Sequence, residues 1–385
     1  MENFIFNAPT KIIFGKNTIS NLPEQLSLYG KNVLLTYGGG SIKKSGLYDT
    51  ILTLLKDFNV YELSNIEPNP RIESVYKGIE LCKNNNIDVI LAVGGGSTID
   101  CSKVIGAGYY YEKDTWDIVM DSSLITKCLP IVTVLTLAAT GSEMNKTAVI
   151  SNMTLNIKKG TRHECMSPKV SILDPTYTFT LPKIQTASGS SDILSHLFEN
   201  YFQKDKDCDV SDRTSEGLMK TVIKCTKIAL EDPTNYSARA NIMWASSLAL
   251  NGLTACGKSG SWSCHAIEHE LSAFYDITHG VGLAIITIPW MNYVLNEDTV
   301  DIFDTYAKNV FGIKIADKYL SAKEGINQTS LFFKSIGLPS TLKEVGIDES
   351  KLMLMAKQAY KHGNMKNALV PLEIEDIYNI LCNCK

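Results

Sequence analysis

Up to Leu181-Pro182 the chain alternates short apolar runs with longer amphipathic ones. Residues 32–37 are largely apolar and stop at Gly38-Gly39-Gly40-Ser41; residues 47–58 then read as a helix. Residues 59–63 form the next strand-like run, Pro68-Asn69-Pro70 breaks the chain, and 72–85 is again amphipathic. The strongest strand signal, 88–93, runs into Gly94-Gly95-Gly96-Ser97-Thr98-Ile99-Asp100, with a helix expected over 101–109. Residues 130–136 give a further strand leading to Ala138-Ala139-Thr140-Gly141-Ser142-Glu143. Residues 4–15, two apolar runs about Pro9, read as a hairpin or edge strand before a helix near 18–28. Near-continuous apolar strands alternating with helices predict a parallel sheet covered on both faces.

Beyond Pro182 the strand signals stop, and helical periodicity takes over at 186–201, 212–230, 235–253, 299–311, 323–336 and 350–360. A chain of 385 residues exceeds what one core usually holds. The expected organisation is therefore an α/β dinucleotide-binding domain, 1–182, with a Rossmann-like parallel sheet, followed by an all-α domain, 183–385.

Composition narrows the classes. A net charge of -4 and the absence of a Lys/Arg-rich run argue against a nucleic-acid partner. No window of eighteen apolar residues and no signal-like N-terminus are found, so neither a membrane span nor secretion is expected. Ten scattered cysteines without a CxxC pair read as reduced thiols, and the expected compartment is the cytoplasm.

The candidate chemistry lies in two places. Three of the six histidines are His265, His269 and His279, and His265 and His269 are four apart, on one helical face. Asp192 and His196 form a second i,i+4 pair. A carboxylate with several imidazoles suggests a divalent ion held by N and O ligands, although a single such histidine is more often a satisfied core or surface residue. The glycine loops are the second place. A strand feeding Gly-Gly-Gly-Ser at a helix start lets backbone N–H groups approach a phosphate. Neither loop matches G-x-G-x-x-G, so a standard Rossmann dehydrogenase is not indicated, and a tight ligand-free turn is the competing reading. The first loop carries no carboxylate before Asp49, and Lys43 and Lys44 follow it, which favours NADP(H) over NAD(H).

As a set these residues resemble the iron-containing (group III) alcohol dehydrogenase family, in its butanol dehydrogenase and NADPH-dependent aldehyde reductase branch. The matching elements are the 94–100 loop, Ala139 to Asn145, Leu173-Asp174-Pro175, Asp192-x3-His196-x2-Glu199 and His265-x3-His269-x9-His279-Gly280, in family order over nearly the whole chain. The resemblance implies the dehydroquinate synthase-like architecture, with the metal in the cleft between two domains. Metal ligands then fall on Asp192, His196, His265 and His279, with Fe²⁺ or Zn²⁺ as the ion. His269 lies near the metal and is the candidate proton relay. Cofactor contacts carry over to Gly38, Gly39, Gly40, Ser41, Gly95, Gly96, Ser97, Asp100, Thr136, Thr140, Asn145 and Lys158. Ala138 departs from the family, where a proline is frequent. A homodimer is implied.

The implied reaction moves a hydride between a nicotinamide and a short-chain aldehyde or primary alcohol, with the ion stabilising charge on the oxygen. Trp262, Phe274 and Tyr275 flank the histidines as candidate lining of an apolar pocket. Two alternatives stand beside this reading. A glycerol dehydrogenase- or dehydroquinate synthase-like enzyme would, in the second case, need a cluster of cations for a polyanionic substrate, and only Lys258 is close in sequence. A non-catalytic metal or nucleotide-binding protein would have no need of the combined set.

Overall fold

Every pairing in the main sheet is parallel, as expected for strands that are apolar on both faces. The computed structural model describes residues 1–385. Its strands are β1 (Lys11–Phe14), β2 (Asn32–Tyr37), β3 (Asn59–Leu63), β4 (Val89–Gly94), β5 (Ile131–Leu135), β6 (Thr147–Asn152), β7 (Ile157–Arg162) and β8 (Val170–Leu173). Six of them form one sheet in the order β1-β8-β5-β4-β2-β3, while β6 and β7 make a separate antiparallel hairpin. Side chains alternate between the sheet's two faces. Leu34 and Ile90 pack with Val75, Ile79 and Val104 on one side; Val33, Leu35, Val89 and Leu91 pack with Leu22, Leu26 and Ile51 on the other.

Of the two readings of the opening residues, hairpin or edge strand, the second holds: β1 is an edge strand parallel to β8, with Lys11 opposite Val170. The residues before Pro9 turn elsewhere, the Met1 amine donating to the Lys206 carbonyl and the Glu2 N–H to that of Gly257, each at 2.8 Å. The β6–β7 hairpin was not anticipated, because Ile157-Lys158-Lys159-Gly160-Thr161-Arg162 is too polar to read as a strand alone. Its pairing with Thr147–Asn152 supplies what hydropathy lacks.

The helices after Pro182 follow the periodic stretches: Lys183–Tyr201, Asp209–Glu231, Tyr236–Leu250, Val300–Phe311, Lys318–Ser335 and Leu352–His362. Ser263–Tyr275, His279–Val294 and Ile374–Cys382 complete the set of longer ones. His279–Val294 is apolar almost all round and contains Pro289, so it carries no amphipathic stripe to detect.

The chain divides into two compact units, 1–6 with 182–232 and 252–385, and 7–181 with 233–251. The helix Tyr236–Leu250 thus belongs with the sheet, where a single break at 182 would have put it in the other unit. The reason is close packing. Its small residues, including Ala245, Ser246 and Ala249, are buried against the turns Ser142–Met144 and Pro175–Thr178. Gly141, at φ 58°, approaches so closely that a Cβ there would lie 2.7 Å from the Ser246 carbonyl oxygen. No helix is long and apolar enough to cross a membrane.

Leu91 is fully buried at the centre of β4. Leu91→Ala is expected to destabilise the protein by about 2–5 kcal/mol, read as a lower urea midpoint at unchanged slope.

Candidate metal and cofactor sites

The first site starts from a close helix crossing. Ser188, Gly189, Ser190 and Ser191 give the helix Lys183–Tyr201 a thin N-terminal half. Gly280 presses against it so tightly that a Cβ would lie 2.0 Å from the Ser188 carbonyl oxygen. His279, the first residue of its helix, is thereby brought to Asp192. The Asp192 Oδ1 lies 3.4 Å from His196 Nε2, 3.7 Å from His279 Nε2 and 4.0 Å from His265 Nε2. Asp192, His196 and His265 are buried. The His196 and His265 rings stack with centroids 5.0 Å apart, and Trp262 covers both.

Despite these neighbours, Asp192 Oδ1 and His265 Nε2 make no hydrogen bond. A buried carboxylate oxygen left so costs about 1–3 kcal/mol or more. Burial pushes the His196 imidazole down to about 3, so its ring is neutral and its lone pair free to bind. One carboxylate oxygen and converging imidazole nitrogens suit a borderline divalent cation. The residues fit such an ion.

Two buried carboxylates orient the rings from behind. Glu199 accepts the His265 backbone N–H at 2.8 Å and lies 3.2 Å from its Nδ1. Glu268 pairs with His279 Nδ1 and accepts the Ser272 hydroxyl. A Cβ at Gly282 would lie 2.8 Å from Glu268 Cγ, so only glycine admits that carboxylate. Such partners set the tautomer, turning Nε2 towards Asp192. Sequence reading gave no role to either acid. The available signal was spacing: Glu199 is three residues past His196, and Glu268 three past His265.

His269 stands apart from the Asp192 group. It joins a second cluster with Glu268 and His279, and its ring centroid is 5.6 Å from that of His279. Phe274 and Tyr275 do not join Trp262 at the histidines; Lys351 lies over both rings at 5.3 and 5.0 Å. Lys258 donates to the carbonyl of Asn200 and pairs with Asp212.

The second site is where β2 and β4 lie side by side and end in their glycine loops, with the chain continuing to β3 on one side and β5 on the other. That switch point is where open α/β sheets bind ligands. At Gly39 and Gly40 a Cβ would meet nothing within 4 Å, and Gly40 has φ 95°. Gly94 and Gly96 serve packing instead: a Cβ would lie 2.5 Å from Thr98 Oγ1 and 2.3 Å from Thr140 Oγ1, respectively. Gly95 precedes the thirteen-residue helix Gly96–Gly108, and Ser97, Thr136 and Thr140 are half-buried around it.

Asp100, Asn145 and Lys158 are buried, and their side chains bond within the protein. Ser142 donates to Asp100 Oδ1 at 2.5 Å and the Val149 N–H to Oδ2 at 2.8 Å. Lys158 donates to Asn69 Oδ1 at 3.0 Å. Lys103, which sequence reading passed over, is fully buried and donates to Ser142 Oγ, Asn145 Oδ1 and the Thr147 carbonyl at 2.8–3.0 Å. Burial pushes its ammonium down to about 8, against the pull of Asp100 and Glu143. Its position three residues after Asp100 was the only hint. Lys43, expected as a free cation, lies over the rings of Tyr37 and Tyr48 at 5.2 and 4.5 Å.

A profile described as iron-containing alcohol dehydrogenase matches residues 9–175, and one for the C-terminal region of the Fe-containing alcohol dehydrogenase family matches 186–384. The NADH-dependent butanol dehydrogenase A of Clostridium acetobutylicum is 56% identical over 384 residues, 99% of each chain. The NADPH-dependent aldehyde reductase YqhD of Escherichia coli is 38% identical over 94% of each chain. The crystal structure of NADH-dependent butanol dehydrogenase A from Thermotoga maritima is similar at a TM-score of 0.95 and 41% identity, covering 100% of this chain and 99% of that one.

Asp192→Asn is expected to lose the bound ion, measured as metal content after dialysis. Stripped of metal, the variant should melt no lower than stripped wild type, because an uncompensated buried charge is gone. Glu199→Gln should keep the fold and weaken metal affinity about 10–100-fold in chelator competition.

Proposed function

The chain belongs to the iron-containing alcohol dehydrogenase family, and we propose that it reduces short-chain aldehydes such as butanal to primary alcohols with NADH. Membership makes it an oxidoreductase of alcohols and aldehydes that uses a metal ion and a nicotinamide cofactor. The observation that carries the finer reading is the buried Asp192 Oδ1, unbonded and ringed by three imidazole nitrogens within 4.0 Å.

We assign Asp192, His196, His265 and His279 as the ligands of one divalent ion, Fe²⁺ or Zn²⁺. Bound there, the ion stabilises negative charge on the carbonyl oxygen as a Lewis acid, and the nicotinamide supplies the hydride. Glu199 and Glu268 hold the rings in register. His269, beside His279 but outside the Asp192 group, relays the proton that completes the alcohol. Gly38 to Ser41 and Gly95 to Ser97, with Thr136 and Thr140, line the cofactor site. Asp100, Asn145 and Lys158 hold its walls. The acidic surroundings of the histidines, with Lys258 engaged by Asp212, do not suit the polyanion of a dehydroquinate synthase-like enzyme.

NADH takes the place of the NADP(H) expected from Lys43 and Lys44. Two relatives more than half identical, at 56% and 51%, are named NADH-dependent, whereas relatives named NADPH- or NADP-dependent are at 38% and 34%. Lys43 is also engaged by its aromatic neighbours.

Butanal turnover by the metal-loaded protein should be faster with NADH than with NADPH at equal low concentration. An absence of turnover with every aldehyde tried would refute the reductase reading; an NADPH preference would refute the cofactor reading. His269→Gln should retain the metal while kcat falls about a hundredfold.

A further inference from the structure

The adenosine end of the cofactor site lacks the acid that usually accompanies NADH. The loop 38–41 carries no carboxylate, and its open glycines leave space for a 2′-phosphate. Steric exclusion therefore does not select NADH here. The charge that bears on the choice stands on the neighbouring strand.

Glu62 is the penultimate residue of β3, paired in register with Leu35 of β2, so it lies near the edge from which the 38–41 loop departs. Both of its carboxylate oxygens are taken. Tyr37, the last residue of β2, donates its hydroxyl to one at 2.6 Å. Tyr48, on the helix Leu47–Leu54, donates to the other at 2.7 Å. The two rings meet edge to face, 5.8 Å apart, and Lys43 lies over both. Tyr37 beside it, with Glu62 and Asp49 adding, raises the Lys43 ammonium above its ordinary value. Glu62 pushes the Tyr48 hydroxyl up to about 12. The cluster thus brings Glu62, Tyr37, Tyr48 and Lys43 together beside the loop.

We propose that Glu62 is the specificity-determining residue for the cofactor, discriminating against a 2′-phosphate from the adjacent strand by its own charge and by holding Lys43 in the tyrosine cluster. The inference rests on the NADH reading above. A 2′-phosphate brings about two further negative charges at neutral pH. Near the loop it meets the Glu62 carboxylate, and the cation best placed to neutralise it is already engaged. A ribose bearing only hydroxyls meets no such penalty.

The test is the ratio of kcat/KM for NADPH to that for NADH, with butanal and the metal-loaded enzyme. Glu62→Gln keeps the size and the hydrogen-bonding oxygen of the side chain while removing its charge. It should raise the ratio about tenfold or more, as expected when a like charge is removed from beside a phosphate. Lys43→Met in the Glu62→Gln background should cancel most of that gain, because the released ammonium supplies it. Tyr48→Phe should shift the ratio in the same direction by less, providing a second route should Glu62→Gln fold poorly. Ratios for Glu62→Gln and Tyr48→Phe within twofold of wild type overturn the proposal. The wild-type ratio alone tests the NADH reading, and the shift between variants tests Glu62. An enzyme that prefers NADPH yet responds to Glu62→Gln would lose the first and keep the second.

Discussion

A carboxylate buried against three imidazoles is the constraint on which the helical unit turns. Asp192 is buried and one of its oxygens is unbonded, a placement that is unfavourable unless a cation completes it. The surrounding packing exists to keep the placement fixed. Gly280 lets one helix approach the backbone of another at Ser188, and Gly282 admits Glu268 behind His279. Glu199 holds His265 from its far side. His265 and His279 are thus oriented before any ligand arrives, so less ordering is left to oppose binding.

The α/β unit solves a different problem with a buried cation. Its glycine turn must stay tight against the loop that follows β5, and Thr140 fills the space a side chain on Gly96 would need. Lys103 reaches from the helix Gly96–Gly108 to Ser142, Asn145 and Thr147, while Asp100 on the same helix accepts from Ser142 and Val149. Two opposite charges, fully hydrogen-bonded, clamp the turn to the loop. A network with every member satisfied rigidifies, where a half-satisfied one would destabilise. Asp100 and Asn145 therefore hold the loop in place through their neighbours.

Electrostatic balance follows the same rule at both sites: charge is placed by the group that compensates it. Asp192 is faced by three imidazoles, Lys103 is matched by Asp100, and Lys43 stands with Glu62 and two tyrosines. A count of lysines along the loop cannot register this, because Glu62 lies on another strand. Lys258 is a parallel case, close to the histidines in sequence and committed to Asp212 in space.

What the chain's pattern determined by itself was local. Strands buried on both faces carry near-continuous apolar runs, so β2, β4 and β5 were legible to within a residue or two, as were the edge strand β3 and most helices with one apolar face. The i,i+4 spacing of Asp192 with His196 and the strand–glycine–helix order marked both sites. The tertiary structure decided whatever depends on a partner distant in sequence. β1 is an edge strand because β8 pairs with it, β7 is a strand because β6 does, and the helix Tyr236–Leu250 goes with the sheet because its small residues fit two turns there. It also separated His269 from the Asp192 group, although spacing alone pairs it with His265. Helical periodicity fixes which side chains share a face; the approach of a second backbone, here at Gly280, fixes which of them meet.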